Sequence, residues 1–170
     1  GSGIAAGISA AFPLGSLSTD AKVAEVMDAV ARVDGKPSAV EMVTNIALLK
    51  EGHFDGYTRD IAAVVNAVEG RGIIVKAILE TSLLADEEIV AASLAAKRAG
   101  ADFVKTSTAF TQKGATVEAV ALMRRTVGPE MGVKASGGIR SFAEAMAMVE
   151  AGANRIGTSR GVALMREAHF

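Results

Sequence analysis

The sequence predicts an α/β fold in which short buried strands alternate with longer helices. Apolar runs of a few residues alternate with longer amphipathic segments along the chain. The runs are almost continuously hydrophobic, as is typical of parallel strands covered on both faces. No Asn-Gly turn marks a tight hairpin. About six βα units follow from this pattern, and periodicity alone leaves open a doubly wound sheet or a barrel.

The first half of the chain begins with an apolar run at 4–12, which we interpret as a strand. The run is too short to cross a bilayer and no basic segment precedes it, so a strand is favoured over a signal peptide. Capping residues at 18–20 predict a helix running to about residue 32. A strand at 38–43 and helical segments at 44–50 and 58–68 complete this half.

The second half repeats the alternation with clearer punctuation. The helix at 86–99 begins at Asp86 and stops at Gly100, and the helix that Ser141 caps ends at Gly152. The remaining predicted strands are 73–79, 102–107, 132–135 and 155–158. The remaining predicted helices are 116–126 and 161–167.

Composition predicts one folded domain over residues 1–170. Half of the residues are hydrophobic and 22% are charged, so the chain has enough apolar content for a core. At 170 residues it is short for a complete barrel of about 200 residues or more. The net charge of −1, the absence of cysteine and the two histidines argue against nucleic-acid binding, disulfides and a histidine-rich metal site. No targeting segment is evident, so the expected location is the cytoplasm.

Two lysines stand at equivalent places on successive predicted strands. Strand alternation places Phe103, Lys105 and Ser107 on one face, with the lysine near the strand's end. Burial disfavours the charged amine and so favours its attack on a carbonyl, although a lone lysine of this kind usually extends its charge to water. Lys134 lies one βα unit later, and a second positive charge would lower the pKa of the attacking amine further.

A carboxylate also interrupts an apolar strand. Glu41 lies within the strand 38–43 and needs a partner, which Lys105 or Lys134 could supply. Its functional interpretation is proton relay between substrate and solvent, and the alternative is a structural ion pair or an exposed strand end.

Two glycine-containing turns indicate a phosphate site. Gly137, Gly138 and Arg140 follow one strand, and the segment 157–161 repeats glycine, hydroxyls and an arginine after the last strand. Glycine lets backbone amides approach an anion, and phosphate sites of barrel enzymes commonly lie in the last two strand loops.

These motifs resemble the deoxyribose-phosphate aldolase family over nearly the whole chain. The two lysine strands are specific in combination. The segments that carry the resemblance are FVKTST at 103–108, GATV at 114–117, VKASGGIR at 133–140, GTS at 157–159, FPLG at 12–15 and LET at 79–81.

The resemblance implies a (β/α)₈ TIM-barrel lyase that needs no metal or cofactor. It would reversibly cleave 2-deoxyribose 5-phosphate to glyceraldehyde 3-phosphate and acetaldehyde. Lys105 would form the Schiff base, Lys134 would tune it, and Glu41 would relay a proton. Thr108 would contact substrate, and the phosphate would be held by Gly137, Gly138, Arg140, Gly157 and Ser159.

The resemblance has departures as well. The family has aspartate, glycine and serine where this chain has Glu41, Ala109 and Arg160, and no tail tyrosine is evident. The match begins at what would be the third strand, so about six of the eight βα units are expected here. Another chain, a swapped element or a further segment would then cover the open sheet edges, and a homo-oligomer is expected.

Three functional interpretations follow. One is an active aldolase acting on a small phosphorylated sugar, without nucleic-acid or membrane partners. The second is a catalytically impaired paralogue that keeps a phosphate pocket or serves as an assembly subunit. The third is another phosphate-binding barrel enzyme, such as an isomerase, whose chemistry does not require paired lysines.

Overall fold

The computed structural model describes residues 6–33, 38–111 and 113–168. Within these residues, six strands alternate with seven α-helices. The strands are β1 (Gly7–Ala10), β2 (Ala39–Val43), β3 (Ile74–Ile78), β4 (Phe103–Lys105), β5 (Gly132–Ser136) and β6 (Arg155–Gly157). The helices are α1 (Thr19–Arg32), α2 (Ile46–Lys50), α3 (Phe54–Ala67), α4 (Asp86–Arg98), α5 (Val117–Val127), α6 (Phe142–Glu150) and α7 (Gly161–Glu167).

Each strand and helix predicted from the sequence is present, with small shifts at the ends. The strand predicted at 4–12 is shorter, and its residues 4 and 5 lie outside the described part. Helix α3 begins at Phe54, four residues before the predicted start, and a 3-10 turn at Thr81–Leu83 was not predicted. The predicted caps Ser18 and Ser141 are confirmed, since their hydroxyls accept from the amides of Ala21 and Glu144, at 3.3 and 3.2 Å.

The sheet is parallel, and its strands follow chain order from β1 to β6. This confirms the prediction of six parallel strands in sequence order. Crossover connections of the βα kind produce this arrangement, because a parallel neighbour requires a long return segment between two strands. By internal contacts the chain divides into two compact units, Gly1–Ile78 with Ala95–Phe103, and Leu79–Leu94 with Val104–Phe170.

The first unit contains β1, β2 and β3. Buried apolar residues of these strands, including Val40, Met42 and Val75, form its core together with Ile61 and Val64 of α3. The parallel register places Ser9 beside Glu41 and Glu41 beside Lys76. Two ionisable residues, Glu41 and Lys76, therefore stand side by side on adjacent strands.

A buried ion pair joins α1 to α3 within this unit. The Lys22 ammonium lies 2.6 Å from an Asp60 carboxylate oxygen, with side-chain exposures of 0% and 1%. Lys22 also donates to the Val43 carbonyl at 3.1 Å, and the Thr19 hydroxyl donates to Asp60 at 2.8 Å. Burial lowers the pKa of Lys22, and the hydrogen bond to Asp60 opposes that change.

We expect Lys22→Met to destabilise the fold by about 3–5 kcal/mol, because it leaves the Asp60 carboxylate buried without its cation. Urea unfolding monitored by circular dichroism would measure the loss. The double variant Lys22→Met, Asp60→Leu should recover much of it. Asp28→Asn, which breaks the exposed Asp28–Arg32 pair, is the control. A single-variant loss no larger than that of the control would contradict the prediction.

The second unit contains most of β4, all of β5 and β6, and the helices α5, α6 and α7. Val104, Val133 and Ala135 on the strands pack in the core with Val120 and Met123 of α5. The register of β5 on β6 places Lys134 beside Arg155 and Ser136 beside Gly157. The three strands end next to the loops that contain the predicted substrate-binding and phosphate-binding residues.

Across residues 6–33, 38–111 and 113–168, no α-helix is long and apolar enough to span a bilayer. The same residues contain no cluster of three or more histidine, aspartate or glutamate side chains suited to a metal ion.

Candidate active site

A cleft of about 370 Å³ lies at the C-terminal ends of β4, β5 and β6. This is the edge at which parallel α/β folds place ligands, because the strand-to-helix loops converge there. The residues that line it are Lys105, Thr108, Ala109, Lys134, Ser136, Gly137, Gly138, Ile139, Arg140, Gly157, Thr158 and Ser159.

Both sequence-predicted lysines line this cleft. Lys105 is the last residue of β4 and is 8% exposed, and Lys134 is half-buried in the middle of β5. The two strands meet directly, because the Thr106 amide donates to the Lys134 carbonyl at 3.0 Å. The cleft therefore contains one buried and one half-buried lysine.

Side-chain hydrogen bonds join the ends of β4 and β5. The Thr106 hydroxyl accepts from the Ser136 amide and donates to the Ser136 carbonyl, both at 3.0 Å. The Ser136 hydroxyl donates to the Ser107 carbonyl at 2.7 Å. These buried bonds fix the two strand ends relative to each other, and so they fix the backbones from which both lysines extend.

The loop after β4 is held by a carboxylate that the sequence reasoning did not single out. Glu80 is 1% exposed and accepts hydrogen bonds from the amide and the hydroxyl of Thr108 and from the hydroxyl of Thr111. A sequence signal was available, because Glu80 is an ionisable residue directly after the apolar run 73–79.

The backbone conformation at Ala109 accounts for the glycine that the family usually has at this position. Its φ of 69° is in the left-handed region, where glycine is preferred and alanine is strained. The glycine that the family usually has at this place therefore matches the backbone conformation. In this chain alanine adopts the same left-handed conformation, directly after Thr108, whose amide and hydroxyl donate to Glu80.

Two glycines allow the loops after β4 and β5 to touch backbone to backbone. A Cβ on Gly114 would lie 2.1 Å from the Gly137 carbonyl oxygen, and a Cβ on Gly137 would lie 2.8 Å from the Gly114 Cα. The Ala115 amide donates to the carbonyls of Ser136 and Gly137, at 3.1 and 3.0 Å. Side chains at either glycine would separate the loops.

Gly157 makes room for Lys134. A Cβ on Gly157 would lie 3.0 Å from the Lys134 Cε and 2.9 Å from the Ser136 Cβ. Both contacts are closer than ordinary van der Waals packing allows. The last strand therefore shapes the path of the second lysine, a role that the sequence did not indicate.

The turns predicted to hold phosphate face the same cleft, but the N-terminus of α6 is already occupied. The Glu144 carboxylate accepts from the amides of Arg140 and Ser141, at 2.6 and 3.1 Å. These bonds, led by the one from Arg140, lower the pKa of Glu144. The amides of the two residues that precede α6 are therefore bound to a side chain of that helix, and the Phe142 amide donates to Glu167 at 2.8 Å.

Other amides around the cleft remain available. Those of Gly137, Gly138 and Ser159 donate to no acceptor in the described part of the chain. The Thr158 hydroxyl donates to the Ile139 carbonyl at 2.8 Å and accepts from the Arg160 amide at 3.0 Å. The loops after β5 and β6 are thus tied together beside amides that are free to bind an anion.

Glu41 lies on β2 in the first unit. Its carboxylate forms an ion pair of 3.1 Å with the ammonium of Lys76, and the two side chains are 15% and 3% exposed. The sequence had offered Lys105 or Lys134 as its partner, and the structure adds Lys76, a third lysine, through the β2–β3 register. Lys76 was missed although, like Glu41, it is an ionisable residue inside an apolar strand.

The fold and the cleft define a class of protein: an α/β-barrel type of enzyme in which two lysines and two glycine-containing loops line one cleft. Residues 16–170 match the family described as DeoC/LacD family aldolase. The chain therefore belongs to the DeoC/LacD aldolase family, as its motifs predicted.

Individual relatives agree with this assignment. The chain is 57% identical over 155 residues to a deoxyribose-phosphate aldolase of Streptococcus sanguinis, covering 91% of this chain and 68% of the relative. It is 54% identical over 157 residues to one of Thermococcus gammatolerans, covering 92% and 68%. The chain thus spans about two thirds of the length of its relatives, and 64% of one solved relative.

Solved structures show the same fold. A tetrameric deoxyribose phosphate aldolase from Aeropyrum pernix matches with a TM-score of 0.89 at 32% identity, covering 98% of this chain and 69% of that chain. The prediction of the (β/α)₈-barrel fold class, with six βα units in this chain, is confirmed.

Proposed function

We propose that this chain catalyses the reversible Schiff-base aldol cleavage of 2-deoxy-D-ribose 5-phosphate to glyceraldehyde 3-phosphate and acetaldehyde. The observation that carries the proposal is the single cleft lined by Lys105, Lys134 and two glycine-rich loops. Family membership supports a lyase assignment, and the relatives' shared name supplies the substrate.

The proposed reaction starts at the Lys105 amine. The neutral amine attacks the aldehyde carbon C1 of the open-chain sugar, and loss of water gives an iminium ion. The C2–C3 bond then breaks, and its electron pair forms the C1–C2 double bond of an enamine. The C3 hydroxyl loses its proton and becomes the carbonyl of glyceraldehyde 3-phosphate. Protonation of the enamine at C2 and addition of water release acetaldehyde and regenerate the amine.

The other cleft residues have supporting roles in this proposal. Lys134 favours the neutral form of the Lys105 amine through its positive charge. Thr108 contacts substrate. Glu41, which lies on β2 and is not one of the cleft-lining residues, has the proposed role of proton relay. The phosphate is held by free amides of Gly137, Gly138 and Ser159.

Two more residues of the predicted phosphate site fit the same picture. The Arg140 amide is bound to Glu144, so the contribution of Arg140 to phosphate binding comes from the positive charge of its side chain. Gly157, which has no side chain to meet Lys134, leaves room for that lysine beside the phosphate site. In the same proposal the chain acts in the cytoplasm as a homo-oligomer.

Borohydride trapping with acetaldehyde tests the proposal directly. Reduction of the imine should leave one ethyl group on the protein, measured by intact mass, and peptide mapping should place it on Lys105. An unmodified mass after exposure to acetaldehyde and borohydride would contradict the proposed function. Cleavage of 2-deoxyribose 5-phosphate should proceed without an added metal.

Arg160 offers a test of the phosphate site. It is exposed beside the cleft, so its contribution to phosphate binding should be modest, about 0–1 kcal/mol. Titration of glyceraldehyde 3-phosphate should therefore show slightly weaker binding for Arg160→Ser than for the parent. Arg98→Ser, on α4 and outside the cleft residues, is the matched control. Equal affinities of Arg160→Ser and parent would exclude a role for Arg160.

A further inference from the structure

Glu80 occupies a position in the second unit that is energetically unfavourable for the folded state. It follows β3 with φ of 57° and ψ of 59°, in the left-handed region, and its side chain is 1% exposed. No cation contacts its carboxylate within the part of the chain that the structure describes. Strained backbone and a buried carboxylate both disfavour the fold, and positions that combine them are concentrated at functional sites.

The carboxylate is held by neutral donors from the loop after β4. One oxygen accepts from the Thr108 amide at 3.0 Å and from the Thr108 hydroxyl. The other accepts from the Thr111 hydroxyl at 3.0 Å, and Ser82 lies 2.9 Å from the same hydroxyl. The adjacent Thr81 amide donates to the Thr106 carbonyl at 2.9 Å. Glu80 thus joins the loop that carries the cleft-lining Thr108 to the segment after β3.

These bonds decide what Thr108 offers to a ligand. A threonine hydroxyl has one proton to donate and two lone pairs that can accept. The proton points to Glu80, and one lone pair accepts from the Phe110 amide at 3.1 Å. One lone pair remains for the cleft that Thr108 and Lys105 both line. Towards this cleft, Thr108 is therefore an acceptor and not a donor.

We propose that Glu80 is a positioning residue that orients Thr108 to accept a hydrogen bond from a hydroxyl of the aldehyde substrate. This inference rests on the proposed aldolase function and deepens it. The site would then favour hydroxylated aldehydes over aldehydes without a hydroxyl group. Acetaldehyde, which has none, would form its imine with Lys105 without help from Glu80.

Glu80→Gln provides the test, because the amide keeps the shape of the side chain but has one neutral acceptor oxygen in place of two charged ones. We expect kcat/KM for 2-deoxyribose 5-phosphate to fall about tenfold to a hundredfold, the effect of losing one hydrogen bond to a charged group. The rate of borohydride trapping with acetaldehyde should stay at the parent value. A purely structural role would slow both reactions together, and that outcome would overturn the proposal.

Thr108→Val and Thr108→Ser extend the test. The valine variant should show the same selective loss as Glu80→Gln, the serine variant should restore activity, and Glu80→Gln should add little in the valine background. Thr111→Val, which removes only the donor to the other carboxylate oxygen, should cause a smaller loss. Parent-like activity of Thr108→Val, or additive losses in the double variant, would contradict the proposal even if Glu80→Gln fails to fold.

The failure of this inference can be distinguished from the failure of the proposed function. A parent protein that does not trap acetaldehyde would contradict the aldolase reaction itself. A parent that traps acetaldehyde, together with a Glu80→Gln variant slowed equally on both aldehydes, would overturn only the role of Glu80.

Discussion

Lys105→Met is expected to abolish trapping of acetaldehyde and to reduce cleavage of 2-deoxyribose 5-phosphate by roughly 10⁴-fold or more, the scale seen when a catalytic nucleophile is removed. Methionine keeps an unbranched apolar stem of similar length, so the buried end of β4 should tolerate it. The covalent step would then have no amine at the position where the strand end meets the cleft. Intact mass after borohydride treatment and a coupled assay of glyceraldehyde 3-phosphate would measure the two effects.

Lys97→Met is the matched control for this prediction. Lys97 is an exposed residue of α4 and does not line the cleft, so its replacement removes a lysine without touching the proposed site. Parent-like trapping in Lys97→Met and none in Lys105→Met would assign the imine to Lys105. Continued trapping in Lys105→Met at the parent rate would instead assign it to another amine.

The fold was accessible from the sequence because its local signals agree with one another. Ser18, Thr116 and Ser141 cap helices where capping residues were visible, and apolar runs become strands. The ends were less predictable. Helix α3 begins at Phe54 behind an N-cap histidine whose side chain makes no capping hydrogen bond, and nothing in the sequence there resembles a strong start signal.

The site residues that belong to short sequence motifs could be predicted. Those whose partners depend on the register of neighbouring strands could not. The two lysines and the glycine turns could be read as motifs, and they line one cleft. The pairing of Glu41 with Lys76 follows from which residues stand opposite each other on β2 and β3. Periodicity gives the faces of a strand but not its register with a neighbour, so this pair was missed.

At the loops predicted to hold phosphate, the constraint comes instead from a local capping pattern in the sequence. The sequence predicts helix N-termini that favour an anion, yet the capping-box residue Glu144 of α6 binds the amides of Arg140 and Ser141 just before that helix. The signal for this was the Ser-x-x-Glu spacing at 141–144, which predicts a cap more strongly than it predicts a ligand site. Free amides in the preceding glycine turn, and not the helix end, are therefore what remains to bind phosphate.

Lys134→Leu is expected to slow imine formation at neutral pH by roughly tenfold to a hundredfold. Loss of a neighbouring positive charge raises the pKa of the Lys105 amine, so a smaller fraction of the amine is neutral and able to attack. A rise of one in the pKa lowers that neutral fraction about tenfold. The difference in trapping rate between parent and variant should shrink as the pH rises. At alkaline pH the Lys105 amine is already neutral in the parent and becomes neutral in the variant as well. Trapping rates with acetaldehyde between neutral and alkaline pH would measure this. A deficit that is constant with pH would show that Lys134 acts through packing instead.

Gly157→Ala tests the same charge effect without removing the charge. The added methyl would meet the Lys134 Cε at 3.0 Å and the Ser136 Cβ at 2.9 Å, so the Lys134 stem must move. The backbone of Gly157 is not in the left-handed region, so alanine adds no conformational strain and the effect is steric. We expect slower trapping that recovers at alkaline pH, as in Lys134→Leu but weaker, since the ammonium is displaced and not deleted. The double variant Gly157→Ala, Lys134→Leu should then be no slower in trapping than Lys134→Leu alone. If the two losses add, Gly157 influences the amine by a route other than Lys134.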